Sequence, residues 1–546
     1  MSAAESGAPH AHSAPPGAFA PLKRRLFAVL WLATVLGNVG SFMRDVASAW
    51  LATDLSTSPF AVSAIQAAGT LPAFLLAIPA GALSDILDRR RLLIGILSFL
   101  AAISALLSLL AATGEASVES LVALTFLGGI GAALAAPSWQ AIVPELVPRT
   151  DLKSAVALNS LGFNIARAIG PALGGLLVAV IGASATYLFD VGSDLAVIAA
   201  LLWWKRKGAA SDDLREHFGG ALRAALRYAR ASATLRSVLT RSAIFFVCAS
   251  AIWALLPILA RRELGGGPGL YGLLLGGVGV GAIAGAILMP WMRTTLGQDG
   301  LMTAAMVLMA AVIAFMAEAN AAILAVAATL VLGICWIAVL TTLNGTVQAV
   351  LPDWVRGRGL AVYLTVQGGA MTAGSLAWGA CAGLIGTTAT LLIAAAALAL
   401  VAATTSVRRI ALPIGEADLT PSGHWAEPQV ATAADHDRGP VIVSIAYRVR
   451  FDQRVPFLAA LSRFSEERRR DGAYAWGVAE DAADPEGIVE WFFVESWAEH
   501  LRQHRRVSKT DADVQAELLR YHSGAEPPDV THLLGIDPRQ ALAGAR

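Results

Sequence analysis

Apolar stretches long enough to cross a lipid bilayer follow one another through the first four hundred residues. A transmembrane helix needs about 20 predominantly apolar residues, and windows of this length fit twelve times. We place these helices at residues 26–52, 60–83, 92–112, 118–143, 154–180, 184–204, 237–260, 269–292, 299–318, 320–344, 357–385 and 387–406. The pattern predicts an all-α membrane protein over most of the chain.

One short motif occurs twice and divides these helices into two sets. The run from Gln140 to Val147 recurs from Gln348 to Val355, and each copy leads into an arginine and a long glycine-containing apolar stretch. Internal repeats of this length are typical of transporters built from two related bundles. We therefore predict two pseudo-symmetric six-helix bundles, at residues 23–204 and 237–408.

Lysine and arginine are distributed unequally between the two sides of the predicted membrane region. Basic residues mark the cytoplasmic side of a membrane protein, and here they cluster before the first helix, at residues 89–91 and in the segment 205–236. Both termini are therefore predicted to be cytoplasmic. Segment 205–236, with Arg223, Arg227 and Arg230, reads as an amphipathic linker helix at the inner membrane surface.

The composition changes beyond residue 408. Residues 409–439 read as a linker, and residues 440–535 show a soluble pattern of strand, helix, two strands, helix and strand. This order is typical of a ferredoxin-like α+β domain. Residues 1–22, rich in Ala, Ser, Gly and Pro, read as a disordered tail, and residues 536–546 as a second tail.

Composition excludes several classes of function. The chain is 56% hydrophobic and 15% charged, with a net charge of +1, which gives no basis for nucleic-acid binding. Cys248, Cys335 and Cys381 lie in apolar runs without metal-ligand spacing. His500 and His504 share a helix face, but the sequence offers no third ligand, so we predict no metal site and no cofactor.

Charged residues inside membrane helices are costly and mark functional sites by default. Arg44 and Asp45 lie in the first helix, where Asp45 could accept a coupling proton or could simply form a salt bridge with Arg44. Arg167 in the fifth helix and Asp190 and Asp194 in the sixth lie at similar depth. They could form a proton relay, Arg167 could bind an anionic substrate, or Arg167 and Asp194 could form a structural pair.

Amides in the membrane helices are further candidates for contacts with a substrate. Asn159 and Gln367 occupy equivalent positions of the two repeats, and Asn38 and Gln66 lie in the first two helices. The alternative for each is a hydrogen bond between helices.

Several motifs resemble one family. The stretch Gly81–Arg91 is similar to the cytoplasmic loop motif of the major facilitator superfamily, with Asp88 in place of the second glycine. The stretch with Gly170, Pro171, Gly174 and Gly175 resembles the motif of its proton-coupled exporters, with Ala166 in place of the first glycine. Residues 38–51, together with Leu71-Pro72, resemble the transmembrane secretion effector branch, which includes enterobactin-exporter-like proteins.

This resemblance implies roles for individual residues. Asp85 would face the start of the eleventh helix and pair with Arg89 when the cytoplasmic side is closed, with Arg90 and Arg91 beside it; the alternative is that the arginines only set orientation. The soluble domain resembles dimeric antibiotic-biosynthesis-monooxygenase-like proteins, which implies homodimerisation through this domain.

Together these observations predict a secondary active transporter in the bacterial cytoplasmic membrane, and not an enzyme. It would export a small amphipathic compound, such as a siderophore, a macrolide or another drug-like molecule, by alternating access and proton antiport. The alternatives are a facilitator or importer, or a transporter whose C-terminal domain is an enzyme or a ligand sensor.

Overall fold

The computed structural model describes residues 19–204, 226–352, 354–407 and 438–536, together with residues 420, 422 and 425. Most of the predicted N-terminal tail, of the segment 205–225 and of the linker 409–437 lies outside the described residues, as does the end of the chain from residue 537. The surroundings of a few residues within α-helices, among them Gly81 and Asp85, are not described either.

The first half of the membrane region consists of six long helices. These are α1 (Arg25–Leu55), α2 (Pro59–Ile86), α3 (Arg89–Thr113), α4 (Val118–Leu146), α5 (Leu152–Val180) and α6 (Ala183–Trp203). Polar caps fix two of the starts: the Asp88 carboxylate accepts from the Arg91 backbone N–H, and Ser117 and Ser120 form a capping box. The boundaries therefore follow from short polar residues between apolar runs.

The second half begins with α7 (Ala233–Ile258), which continues into a π-helical turn, Leu259–Glu263. It is followed by α8 (Pro268–Glu318), α9 (Ala322–Val350), α10 (Arg356–Ile385) and α11 (Thr387–Val407). At 1.5 Å per residue, α8 is far longer than the roughly 30 Å core of a bilayer. It is interrupted at Gly297, whose φ of 67° favours glycine, so α8 holds two of the predicted helices.

Ten helices in the described part of the chain are long and apolar enough to cross a membrane. Large apolar side chains such as Val180, Ile287 and Ile323 are exposed on them, as expected where the surroundings are lipid. The predicted fold class is thus confirmed, while the count of twelve helices stays a prediction.

The C-terminal region forms a four-stranded antiparallel sheet with helices. Its elements are β1 (Val441–Arg448), α12 (Arg454–Asp471), β2 (Ala475–Glu480), β3 (Gly487–Val494), α13 (Trp497–Arg506), α14 (Lys509–Leu519) and β4 (Asp529–Leu534). The strand order is β2-β3-β1-β4, which is the split βαβ arrangement. Alternate residues of β1 and β3 are buried, and Phe457, Phe464 and Phe492 lie in the core beneath them.

The described chain divides into two compact units. The first contains α1–α6 together with residues 245–339 and 368–403. The second contains the C-terminal sheet with residues 226–244 and 340–367. Within this second unit Arg227 pairs with Glu495 and Glu499, and the Arg506 guanidinium lies 4.0 Å from the centre of the Trp354 ring.

Candidate functional site

A cavity of about 370 Å³ lies inside the first unit. Its walls come from α1–α5 of the first half and from α7, α8, α9 and α10 of the second. Four aromatic side chains contribute the largest apolar surfaces: Phe42, Trp253, Tyr271 and Trp336. The polar lining includes Arg44, Asp45, Gln66, Thr70, Thr125 and Arg167. The cavity therefore combines flat apolar faces with a few charges, which suits an amphipathic ligand.

Arg44 connects this cavity to two buried carboxylates of α6. Its Nη1 lies 2.9 Å from Oδ2 of Asp190, which also accepts a hydrogen bond of 2.7 Å from the Ser104 hydroxyl. Asp190 is completely buried. A Cβ at Gly40, one turn before Arg44, would lie 2.8 Å from Oδ1 of Asp190, so α1 approaches α6 closely here.

The negative charge near Arg44 exceeds the positive charge. Asp194 lies one turn after Asp190 on α6 and is also buried, and Asp45 lies 3.7 Å from Arg44. Oδ1 of Asp190 and Oδ2 of Asp194 are buried without a hydrogen-bond partner in the described part of the chain. Two carboxylates thus pair with the Arg44 guanidinium, and a third lies close enough to interact with its charge.

Asp45 differs from the two α6 carboxylates because it projects into the cavity. Its side chain is 64% exposed, whereas that of Arg44 is 10% exposed and that of Asp190 is fully buried. A ligand or water in the cavity can therefore reach the Asp45 carboxylate, whereas the carboxylates of Asp190 and Asp194 are buried and do not line the cavity.

Arg167 lines the cavity without a counter-ion. Its guanidinium lies 4.9 Å from the centre of the Phe163 ring, and among the described residues it forms no ion pair. The pairing of Arg167 with Asp194 that the sequence suggested as one alternative is absent. The reason is that α1 lies against α6 and brings Arg44 to its carboxylates, while Arg167 faces the cavity from α5.

The candidate amides are divided among different surroundings. Gln66 lines the cavity. Asn159 accepts a hydrogen bond of 2.9 Å from Nε1 of Trp139, the interhelical alternative. Asn38 is half-buried in α1, and the residues that line this cavity do not include Asn38, Asn159 or Gln367.

The arginines of the predicted gating loop contact neighbouring helices. Arg89 donates to Glu145 at 3.0 Å and to the Ala141 carbonyl oxygen at 3.2 Å, and Arg90 donates to the carbonyl oxygens of Leu201 and Leu202. Arg91 is capped through its backbone by Asp88. The Asp85 and Gly81 side-chain positions lie outside the described ones, so the Asp85–Arg89 latch stays a prediction.

The small residues of the predicted exporter motif lie where α5 meets α1 and α8. A Cβ at Gly170 would lie 2.8 Å from Phe42, and one at Gly174 2.8 Å from the Met43 backbone. At Gly175 it would lie 2.7 Å from the backbone of Gly272. Pro171 lines the cavity next to them. Small residues at such crossings allow close backbone approach in membranes.

Residues that sequence reasoning did not select close one end of the cavity region. Arg261 donates to Asp54 and lies 5.5 Å from the Trp50 ring centre, Arg262 donates to the Thr57 carbonyl oxygen, and Trp50 stacks on Tyr271. The available signal was that Arg261 and Arg262 are the only prominent basic residues on their predicted side of the membrane.

A second cluster lies in the C-terminal sheet domain and includes a histidine that the sequence analysis did not select. The ligand atoms of His500, His504 and His532 all lie within 4.8 Å of one another. The third histidine that the sequence did not offer comes from β4, far from α13 along the chain.

Comparisons with known proteins agree with these features. The family model described as transmembrane secretion effector matches residues 16–540. The Staphyloferrin A transporter of Staphylococcus aureus is 24% identical over 64% of this chain and 87% of its own length. Macrolide efflux protein A of Streptococcus pyogenes is 24% identical over 44% of this chain and 60% of its own length.

Solved structures share the fold. A bacterial homologue of the human lysosomal transporter Spinster, in an inward-facing and occupied conformation, has a TM-score of 0.57 at 14% identity, over 72% of this chain and 98% of that one. The nucleoside transporter NupG has a TM-score of 0.54 at 12% identity, over 70% of this chain and 98% of that one. The chain is thus a multi-pass secondary transporter of the major facilitator superfamily and not an enzyme, and it belongs to the transmembrane secretion effector family.

Proposed function

We propose that this protein exports a small amphipathic compound with an anionic group from the bacterial cytoplasm, by alternating access and proton antiport. The observation that carries the proposal is the cavity lined by both halves, in which the uncompensated Arg167 stands among aromatic rings. Relatives named as siderophore and macrolide transporters support a cargo of this size and character.

Arg167 supports the anionic character of the cargo. A guanidinium away from water is stable only when a carboxylate, phosphate or similar acceptor shares its charge. Arg44 has Asp190 as its partner, but Arg167 has only the Phe163 ring beside it among the described residues. A ligand anion at Arg167 would complete this pairing while Phe42, Trp253 and Trp336 cover its apolar part.

The cluster around Arg44 supports proton coupling. One guanidinium cannot balance Asp45, Asp190 and Asp194 together, and surplus charge inside a membrane helix bundle is costly. Binding of a proton removes that cost. Asp45 is the carboxylate in contact with the cavity, and Asp190 and Asp194 lie behind Arg44, so we infer that a proton enters at Asp45 and is held by the α6 pair.

Two gates follow from the proposed orientation. With the basic loops in the cytoplasm, the contacts of Arg261 and Arg262 with the end of α1 form the outer gate. The stretch Gly81–Arg91 then forms the inner gate, where Asp85 would exchange partners with Arg89. The outer gate must break its ion pair each time cargo is released.

Inverted membrane vesicles test the proposal. Energised vesicles that hold the protein should accumulate a carboxylate siderophore, and a protonophore should abolish this accumulation. Accumulation that persists without a proton gradient would indicate a facilitator, and movement in the opposite direction would indicate an importer.

Arg167→Gln tests the substrate assignment in the same vesicles. We expect the KM for the siderophore to rise about ten- to 150-fold, because a hydrogen-bonded charge pair is worth about 1.5–3 kcal/mol. Arg167→Lys should recover part of the loss. Transport of a macrolide, which lacks the anionic group, is the internal control and should change little; an equal loss for both compounds would contradict the role of Arg167.

A further inference from the structure

The three histidines of the C-terminal domain form a compact cluster. His500 and His504 lie one turn apart on α13, and His532 lies on β4, the edge strand of the sheet. The ring centres of His500 and His504 are 4.7 Å apart, and those of His500 and His532 are 4.8 Å apart. Two separate elements therefore point imidazole rings at one location.

His500 is the buried member of the cluster, and its ring centre lies within 4.8 Å of both other ring centres. A metal ion binds an imidazole in its neutral form.

Some buried polar atoms of His500 and Gln503 have no hydrogen-bond partner among the described residues. Nδ1 and Nε2 of His500 are buried without a hydrogen bond in the described part of the chain, as are the amide nitrogen and oxygen of the neighbouring Gln503. Buried polar groups are nearly always hydrogen-bonded, and an exception in a folded domain indicates a water or an ion.

We propose that His500, His504 and His532 bind a divalent transition-metal ion such as Zn²⁺. Three histidines with a fourth position open to water or another donor are an established ligand set for zinc. At a Zn–N distance of 2.0–2.1 Å, tetrahedral ligand nitrogens lie about 3.3 Å apart. The ligand nitrogens of the three histidines now lie within 4.8 Å of one another. Small side-chain rotations would bring them to the distance that zinc requires.

The ligand set also selects the type of ion. Imidazole nitrogens suit zinc, copper, nickel and iron, whereas calcium and magnesium require oxygen ligands. The ring of Trp497, whose centre lies 5.4 Å from that of His500 and 6.2 Å from that of His532, covers one side.

The test uses the purified full-length protein, with any affinity tag removed and bound metal stripped by a chelator. After equilibrium dialysis against Zn²⁺, we expect one ion per chain by elemental mass spectrometry. His532→Gln and His504→Gln should each weaken binding by more than the roughly 10–100-fold that changes outside the ligand shell cause. His522→Gln is the matched control in the same domain, because His522 hydrogen-bonds to the Arg448 backbone away from the cluster.

A spectroscopic variant distinguishes direct ligation from a change in folding. With Co²⁺ as the probe, His532→Cys should keep the ion and add a thiolate-to-cobalt charge-transfer band that the wild-type protein lacks. Retention of unchanged Zn²⁺ binding in all cluster variants, or the absence of this band in a protein of normal circular dichroism, would overturn the proposal.

Discussion

Two buried arginine–carboxylate pairs in this molecule look alike and differ in how their charge is balanced. In the C-terminal domain, Arg468 lies 3.3 Å from Glu490, whose oxygens also accept from Trp476 at 2.9 Å and from Tyr447 at 3.1 Å. In the membrane region, Arg44 lies 2.9 Å from Asp190. Both carboxylates are fully buried.

The difference lies in what surrounds each pair. Both oxygens of Glu490 have donors, and the rings of Phe464 and Phe492 cover Arg468. In the membrane cluster one oxygen of Asp190 has no donor, and Asp194 adds a second negative charge. A complete network rigidifies a fold, while an incomplete one is open to a change of proton or ligand. The Arg468–Glu490 pair therefore suits a structural role, and the Arg44–Asp190 pair suits a role in transport.

The largest expected effect comes from Arg44→Gln. Removal of this guanidinium leaves the buried carboxylates without a cation, and breaking a buried pair costs about 3–5 kcal/mol. We expect transport in vesicles to fall below detection and the thermal unfolding midpoint of the purified protein to drop. Arg44→Gln combined with Asp190→Asn should regain much of the stability but no transport; transport by the double variant would contradict the functional role.

Arg468→Met should destabilise the C-terminal domain by a similar 3–5 kcal/mol, because Glu490 is then buried without its cation. Arg468→Met with Glu490→Gln should regain much of this loss, since it removes both charges while the amide oxygen still accepts a hydrogen bond from Tyr447 or Trp476. Hydrogen exchange of the β3 strand in the full-length protein measures both outcomes. A transport defect in the double variant would show that this pair is more than structural.

Asp194→Asn should separate proton coupling from cargo binding. The amide keeps the size of the side chain but cannot take up and release a proton, so we expect cargo exchange without a gradient to persist. Accumulation driven by a pH gradient should fall about tenfold or more. Glu145→Gln, at a carboxylate that pairs with Arg89 at the edge of the same bundle, serves as the comparison and should leave the gradient dependence intact.

Sequence patterns predicted the elements of both regions better than their contacts. Helix positions followed from apolar length, and the sheet domain followed from alternation within β1 and β3. The partner of Arg44 could not be predicted in this way. Asp190 lies 146 positions away along the chain, and spacing within one helix carries no information about contacts with another helix. Trp253 and Trp336 were missed for a related reason, since helices that are apolar all round do not reveal which face lines a cavity.

The smallest effect concerns Glu467, a carboxylate of α12 that lies outside the balanced Arg468–Glu490 pair. Burial, with Asp511 nearby, raises the pKa of Glu467 from its ordinary 4.5 to about 8. The folded domain thus holds this proton more tightly than the unfolded chain does. The resulting stability is complete below pH 4.5 and is lost as the pH rises through 8.

Glu467→Gln imitates the protonated carboxyl and should remove this pH dependence. Above pH 8 we expect the variant to be more stable than the wild-type domain by about 1–2 kcal/mol, after allowance for partial solvent screening. Hydrogen exchange of α12 in the full-length protein, corrected for the intrinsic rate at each pH, measures the difference. Equal pH dependence in both proteins would mean that the Glu467 carboxylate is charged in the folded domain. Arg468 or Arg470 would then balance its charge, as Arg468 balances the charge of Glu490.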